Sequence, residues 1–345
     1  MNRAGRPGTW WSSLAGRILP LALIIGCMGV LCPQSEPTVI DGFQLEWMGG
    51  LSLANPRDLN LQVWYDQALQ DLTVDQYHDY LLQSGQIASW NRLSDGEPQE
   101  IRMGIPFGLR VRYNINDRWA VSLGLHYISL GRSGNFIHEY ERQTPVGTRF
   151  SYRYTHDLYR LTANGFSPLA GIHYKHRFSD TLLMEGYFSL GPVVANCRYE
   201  NNQLFEWLYN ESTEPYVLFD QTRKIKEVGR GIGLAASLGV RLNMAFHKKW
   251  DIFVEAGYHL RVINRVTGRG SEEIDAYGQD WDGRWIVVQE KVVTDWGTAT
   301  PLLPTNLDEG WPEEQVVRDF TLNLSGFQVS VGLSFKFKVI IEPRY

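Results

Sequence analysis

Seven charged residues lie in segments where polar and apolar positions alternate, and their spacing could join them in a network of ion pairs. Across one tight turn Lys175 faces Glu185, and across another Arg241 faces Glu255. Arg241 also falls on the strand beside Glu185, so we predict that it bridges the two glutamates, and Lys336 falls on the strand beside Glu255. The predicted cluster comprises Lys175, Glu185, Arg241, Glu255, Lys336, Arg110 and Arg112. Such charges would either seal a narrow interior as mutual partners or line a gated pore or ligand site, and we favour the seal.

Acidic residues in the C-terminal third could supply oxygen ligands to a cation. Asp275, Asp280 and Asp282 lie within "DAYGQDWDG", but their spacing does not fit an EF-hand loop. The segment 269–319 carries 12 acidic and 4 basic residues, a net charge of −8. This excess predicts a solvated acidic surface, with weak calcium or magnesium binding at the three aspartates as the alternative. No other metal site and no cofactor are predicted.

Hydrolytic chemistry needs a nucleophile, a base and an orienting acid close together. No histidine and serine have a spacing that forces such proximity. His78, His138 and His156 fall in predicted loops, and His126, His173 and His259 fall on the predicted interior face. The glycines of "GRGIG" (229–233) precede an alternating strand rather than the helix that a dinucleotide site requires. We therefore predict no catalytic residue and no enzyme, with a lipid-modifying enzyme as the alternative.

The elements that carry these residues are strands with two distinct faces. In "EIRMGIPFGLRVRYNIND" (100–117) the odd positions are apolar and the even positions hold three arginines, two glycines, a proline and an asparagine. Seven further segments alternate in the same way. The eight segments are 43–53, 101–113, 118–130, 169–178, 181–194, 231–244, 250–262 and 327–337. Each has about ten residues, the length of a membrane-spanning strand.

The connections between these strands alternate in length. Tight turns at 114–118, 178–181 and 246–249 contrast with four connections of roughly 35 to 55 residues. This pattern predicts an all-β, eight-stranded antiparallel up-and-down transmembrane β-barrel with long extracellular loops. Helical spacing of apolar residues at 59–85 predicts that the first loop is partly helical, and alternating Phe150 and Tyr152 predict strands beyond the membrane.

A soluble lipocalin-like ligand carrier would instead turn the apolar face inward. Its polar face should then be rich in lysine, glutamate, serine and threonine. Here that face is crowded with glycines such as Gly104, Gly108 and Gly124, which favour a packed interior and a lipid-facing apolar exterior.

The N-terminus has the features of an export signal. Arg3, Arg6 and Arg17 precede the apolar run "ILPLALIIGCMGVLC", so residues 1–35 are predicted to be a signal peptide. A lipoprotein signal ending at Cys27 is the alternative. Cys197 is then the only cysteine safely within the mature chain, which excludes an intramolecular disulfide framework. The barrel is predicted to span 40–337, followed by a short tail at 338–345.

Three motifs resemble the outer-membrane β-barrel domain of Gram-negative bacteria, specifically the OmpA-like and PorT-like eight-stranded group. "GIPFGLRVRY" (104–113) resembles that group's "IP" strand, and "SLGPVV" (189–194) its "GP" strand. "VSVGLSFKF" (329–337) resembles the aromatic-ended last strand read by the barrel-assembly machinery. The tail "KVIIEPRY" departs from a strictly terminal aromatic residue. The resemblance implies the fold and says little about activity.

These observations predict a non-enzymatic integral outer-membrane protein whose barrel anchors long loops for binding, adhesion or envelope scaffolding. A lipid-modifying enzyme, a small pore and the soluble carrier are the alternatives. Predicted partners are outer-membrane lipid and lipopolysaccharide, the barrel-assembly machinery, and an extracellular or envelope partner. The net charge of −5, without a long basic run, argues against nucleic acid.

Overall fold

The computed structural model describes residues 38–60, 75–76, 78–95, 99–179, 181–209, 216–279, 285–296 and 320–341. Nearly all of them lie in β-strands, and every strand pairing among them is antiparallel. The predicted all-β antiparallel fold is therefore confirmed. In these ranges no helix has the length and apolar character needed to cross a membrane. The predicted signal peptide at 1–35 lies outside them.

Twelve strands are described. They are β1 Thr38–Ala54, β2 Ser89–Asp95, β3 Met103–Asn114, β4 Trp119–Gln143, β5 Arg149–Arg177, β6 Leu182–Tyr209, β7 Tyr216–His247, β8 Trp250–Ile263, β9 Val266–Gln279, β10 Trp285–Trp296, β11 Leu322–Asn323 and β12 Gly326–Ile341. Helical residues are found at 57–60, 75–76 and 78–83, within the connection predicted to be partly helical. Strand β12 runs four residues into the predicted tail at 338–345.

Eight of the twelve strands pair in a closed ring. The order around the ring is β1, β3, β4, β5, β6, β7, β8 and β12, and β12 pairs back with β1. These are the eight segments that alternate in the sequence. The predicted total of eight strands is nevertheless too low. Strands β2, β9 and β11 pair with ring strands at the end opposite the tight turns, and β10 pairs with β9.

The long connections differ from the predicted loops because much of their length is strand. Strands β4 to β7 have 25, 29, 28 and 32 residues, far beyond the roughly ten residues predicted for each. Strands β4 and β5 remain paired up to Gln143 and Arg149, so only 144–148 form the turn. Tyr140 and Tyr152 extend the ladder as a cross-strand aromatic pair, so the strand predicted from the alternation of Phe150 and Tyr152 is confirmed. The three tight turns occur where the sequence predicts them.

The two faces of the ring have opposite character. Outward side chains are apolar and exposed, as at Ile105, Leu238 and Val331, with exposed fractions of 67%, 64% and 55%. Inward side chains are buried and include all the charged members of the predicted cluster except the half-exposed Lys336. Near the turn end the interior is charged. Towards the other end it is filled by an apolar cluster that includes Ile128, Val193 and Leu322.

Candidate functional site: the interior of the ring

Strand register brings the predicted charged residues onto neighbouring strands. Glu185 pairs with Lys175 on one side and Arg241 on the other, and Arg241 pairs in turn with Glu255. The pairs Lys175–Glu185 and Arg241–Glu255 are the ones predicted from the tight turns, because a short turn fixes the register of its two strands. The pair Glu185–Arg241, also predicted, joins β6 and β7, which no tight turn connects. Glu185, Arg241 and Glu255 are each about 1% exposed, so the interior holds ionised groups away from water.

The ion pairs centre on Glu46, a residue outside the predicted cluster. Its carboxylate lies 2.7 Å from Arg241 Nη1, 3.5 Å from Arg110 Nε and 3.6 Å from Arg112 Nη1. Glu46 is fully buried on β1, where it pairs with Arg110 across β1 and β3. Alternation within "FQLEWMGG" places it inward. Pairing of β1 with β3 brings it to Arg110 and Arg112, whereas its contact with Arg241 of β7 depends on closure of the ring.

The other two glutamates bind the arginines of β3. Arg112 Nη2 donates to Glu185 at 2.7 Å, and Arg110 Nη2 donates to Glu255 at 2.8 Å. The prediction that Arg241 bridges Glu185 and Glu255 is therefore wrong in its partners although correct in its register. The guanidinium of Arg241 instead reaches across to Glu46, donates from Nε to Asn243 and lies over the ring of Phe253.

Three arginines and three glutamates make this network electrically balanced. Each charge therefore has a partner, as a buried ion requires. Beyond the network, towards the end opposite the turns, the apolar cluster occupies the interior with side chains such as Ile263 and Leu324 that are fully buried. From the ion network to the apolar cluster, the described interior is packed with side chains, as expected for eight strands.

Lys175 and Lys336 do not join the network. Lys175 Nζ donates to Asn114 Oδ1 at 3.2 Å and to the carbonyl oxygen of Asn116 at 2.5 Å. Lys336 Nζ donates to Asp251 at 2.8 Å. The predicted position of Lys336 beside Glu255 is wrong, because Ser330 occupies that position in the register. Both lysines lie at the turn end of the ring, closer to solvent than the network.

One serine and one histidine do meet in the interior. His173 Nε2 and Ser122 Oγ are hydrogen-bonded at 2.9 Å, and His173 Nδ1 lies 3.6 Å from Glu185. The order serine, histidine, glutamate is that of a hydrolytic triad. However, His173 is fully buried, and Glu185 is already held by Arg112. Hairpin pairing of Ser122 with Gly171, two residues before His173, could have indicated this contact from sequence.

A second cluster lies on the strand extensions beyond the ring. Tyr140, Tyr152 and Trp207 are buried together, and the guanidinium of Arg142 lies 4.8 Å from the ring centre of Tyr152. His78 stacks on Trp90 at 5.3 Å beside them. Trp207 lies in a connection that the sequence predicts to be a loop, but it is part of β6 and only 8% exposed, so it serves packing rather than an exposed binding face.

The predicted cation site is only partly described. Asp275 is exposed on β9, where it pairs with Thr222 and Gln289. Asp280 and Asp282 lie outside the described residues. Across the described ranges, no group of three or more histidine, cysteine, aspartate or glutamate residues is arranged to hold a metal ion.

Comparison with known proteins gives likeness only at the level of solved structures. No family model and no curated sequence matches the chain. The attachment invasion locus protein Ail of Yersinia pestis is 10% identical, with 86% of this chain and 100% of that chain covered and a TM-score of 0.28. The translocator domain of autotransporter NalP from Neisseria meningitidis is 9% identical, with 94% and 97% covered and a TM-score of 0.15. The outer-membrane protein OmpT of Vibrio cholerae is 8% identical, with 89% and 99% covered and a TM-score of 0.13. These values carry no functional argument, so function is argued from the residues of this chain.

Proposed function

We propose that the chain is an integral outer-membrane protein in which the closed ring is a transmembrane β-barrel that anchors an extracellular β-sheet. The supporting observation is the apolar outward face of the ring. On β7 alone, Ile232, Leu234, Leu238, Val240 and Leu242 are exposed by 45% to 71%. A contiguous apolar surface of this size does not persist in water on a soluble monomer. In lipid the same surface is the favoured exterior of a barrel.

The height of the apolar face fits a bilayer. On β3 the outward apolar positions run from Met103 to Tyr113, ten residue steps. At about 3.3 Å per step this is roughly 33 Å along the strand. With the strand tilt of about 40° typical of such barrels, it spans about 25 Å across the membrane, the usual height of the apolar band.

Aromatic residues mark the edge of this face at the tight turns. Outward rings contact one another in the pairs Phe43–Tyr113, Trp119–Tyr174 and Trp250–Phe335, with centroids 4.9, 5.1 and 4.8 Å apart. Rings of this kind gather where the hydrocarbon meets the headgroups. We infer that the tight turns face the periplasm.

Basic residues mark the opposite edge. Just beyond Val194 and Ile232, the outward-facing side chains of β5, β6, β7 and β9 include five cations and, among the described residues, one acidic residue, Glu200. The cations are Arg160, Arg198, Lys226, Arg230 and Arg269. Guanidinium and ammonium groups at this level are suited to the phosphates of lipopolysaccharide in the outer leaflet. We propose lipopolysaccharide as the lipid partner and the barrel-assembly machinery as the factor that inserts the chain.

The sheet beyond the barrel is the proposed binding surface. Strand β7 extends for about 16 residues before Ile232, roughly 50 Å of chain. The balanced ion network and the apolar cluster fill the barrel interior, which favours an anchor over a pore. The role we propose for the sheet is binding, adhesion or scaffolding without catalysis.

A charge at the middle of the outward face tests membrane insertion. Leu238→Lys would place an ammonium in the hydrocarbon and should cost about 2–4 kcal/mol of unfolding free energy in lipid vesicles. Val287→Lys is the matched control, since Val287 is 71% exposed on β10 beyond the barrel, and it should cost less than about 0.5 kcal/mol. Urea unfolding of both variants in vesicles gives the comparison. A monodisperse soluble monomer without detergent, with Leu238→Lys no less stable than the parent, would contradict the proposal.

A hydrolase is the second candidate, because Ser122, His173 and Glu185 lie in the order of a triad. Labelling with a fluorophosphonate probe distinguishes the two functions. The non-enzymatic proposal expects no labelling of the folded protein. Labelling that is lost in Ser122→Ala but retained in Ser189→Ala would instead establish an activated nucleophile.

A further inference from the structure

A cavity of about 860 Å³ opens at the tight-turn end of the ring. Seven basic and three acidic side chains line it, a local charge of +4 in a chain whose net charge is −5. The basic residues are Arg112, Lys175, Arg177, Lys248, Lys249, Lys336 and Lys338, and the acidic ones are Asp117, Glu185 and Asp251. The volume is that of a typical small-molecule site.

Two of the three acidic groups that line the cavity already form ion pairs with basic residues. Glu185 binds Arg112 at 2.7 Å, and Asp251 binds Lys336 at 2.8 Å. Asp117, exposed in the turn before β4, is the remaining carboxylate. Among the described residues, Lys175, Arg177, Lys248 and Lys249 have no carboxylate within 4.0 Å, so positive charge accumulates around the cavity.

Lys175 is the informative member of this group. It is only 8% exposed, and its ammonium donates to two neutral oxygens, the side-chain oxygen of Asn114 and the main-chain oxygen of Asn116. Removing an ammonium from water is costly unless a counter-charge is close. An anion in the cavity would supply that charge without disturbing the balanced network behind Arg112.

We propose that this cavity binds a multiply charged anion of the phosphate class, such as a phosphate ester or diphosphate. Several uncompensated cations around one space favour a ligand with more than one charge, and phosphate oxygens accept several charge-assisted hydrogen bonds at once. The ligand is either a soluble phosphorylated compound or a phospholipid headgroup. Access from the periplasm rests on the proposed function, whereas the anion site itself does not depend on it.

Calorimetric titration of the full chain in a zwitterionic detergent with pyrophosphate tests the site. We expect one pyrophosphate per chain, and we expect Lys175→Met to weaken the affinity at least tenfold. Lys224→Met is the matched control, because Lys224 is exposed on the outward face of β7 and does not line the cavity, and the affinity of this variant should equal that of the parent. Lys175→Arg retains the charge and should bind within about threefold of the parent.

The exposed rim residue Lys249 provides a second variant that does not depend on a buried position. Lys249→Met should fold normally and weaken the affinity for pyrophosphate by about threefold. The effect is small because solvent ions partly screen the charge of this exposed ammonium. Absence of binding up to about 10 mM pyrophosphate, or equal affinities for Lys175→Met and Lys224→Met, would overturn the proposal. Equal affinity for succinate would overturn the phosphate assignment.

Nanodiscs separate the two sources of the ligand. If a headgroup is the natural ligand, replacing phosphatidylcholine with phosphatidylglycerol should abolish pyrophosphate binding by competition. If the ligand is a soluble compound, pyrophosphate should bind equally in both lipids. Failure of membrane insertion with intact pyrophosphate binding would refute the proposed function and leave this site in place.

Discussion

Replacing Glu46 with glutamine would unbalance the interior ion network while conserving its shape. Glu46 is fully buried and lies within 3.6 Å of the guanidinium groups of Arg110, Arg112 and Arg241. Glu46→Gln leaves three cations facing two carboxylates and turns an amide N–H₂ group towards donors. Removing one member of a buried ion pair typically costs about 3–5 kcal/mol, and we expect a loss in this range.

Urea unfolding in lipid vesicles, followed by tryptophan fluorescence, measures the effect. With a typical denaturant slope of about 1–3 kcal/mol per molar, the midpoint should fall by about 1 M or more. Glu139→Gln is the control, because Glu139 forms a partly exposed ion pair with Arg153 at 3.2 Å on the strand extension. That substitution should cost less than about 1 kcal/mol.

A charge-balanced double variant tests the reasoning more strictly. Combining Glu46→Gln with Arg241→Met restores equal numbers of cations and anions within the network, and methionine can still pack on Phe253. The double variant should lose at least about 1 kcal/mol less than the sum of the two single losses. Additive losses, or a Glu46→Gln loss no larger than that of Glu139→Gln, would refute the account of a balanced network.

Three further predictions follow from local geometry. A Cβ at Gly233 would lie far inside contact distance of the Val262 carbonyl oxygen, so Gly233→Ala should prevent normal pairing of β7 and β8. Gly186→Ala is the control, because its added Cβ meets nothing within 4 Å and this variant should refold like the parent. Circular dichroism in vesicles follows the refolding of both variants. Burial raises the pKa of the Cys197 thiol to about 12, so the thiol stays protonated at pH 8. In a chain with Cys27 and Cys32 replaced by serine, iodoacetamide should therefore react with Cys197 only after unfolding. Rapid reaction of the folded protein would contradict the burial of Cys197. A membrane-impermeant maleimide added to intact cells should label Val146→Cys in the turn between β4 and β5 but label Asp117→Cys only after permeabilisation, and the reverse result would invert the proposed orientation.

The sequence alone determines the two faces of each ring strand. Side chains alternate along a strand, so the even positions of β3, from Gly104 to Arg112, must share one face, and the structure turns that face inward. Tight turns also set the register of neighbouring strands, which is why the pairings of Glu185 with Lys175 and of Arg241 with Glu255 follow from spacing.

The continuation of β4 to β7 beyond the ring is less visible in the sequence. These extensions mix charged and aromatic residues, as in Arg153, Tyr152 and Glu206, because only part of each face is buried. Alternation therefore weakens there, and the ladder of backbone hydrogen bonds rather than an apolar pattern continues the strand. The same limit applies to Trp207, whose burial depends on Tyr140 and Tyr152 of two neighbouring strands.

Only the tertiary structure decides which charges meet across the interior. Glu46 and Arg241 are 195 residues apart and lie on strands that are not neighbours in the ring, so no turn relates them. Their contact depends on closure between β1 and β12, which sets the width of the interior and the level of each side chain. The sequence determines which residues face inward, because that is a local property of each strand, whereas the ion pairs depend on distances across the closed ring.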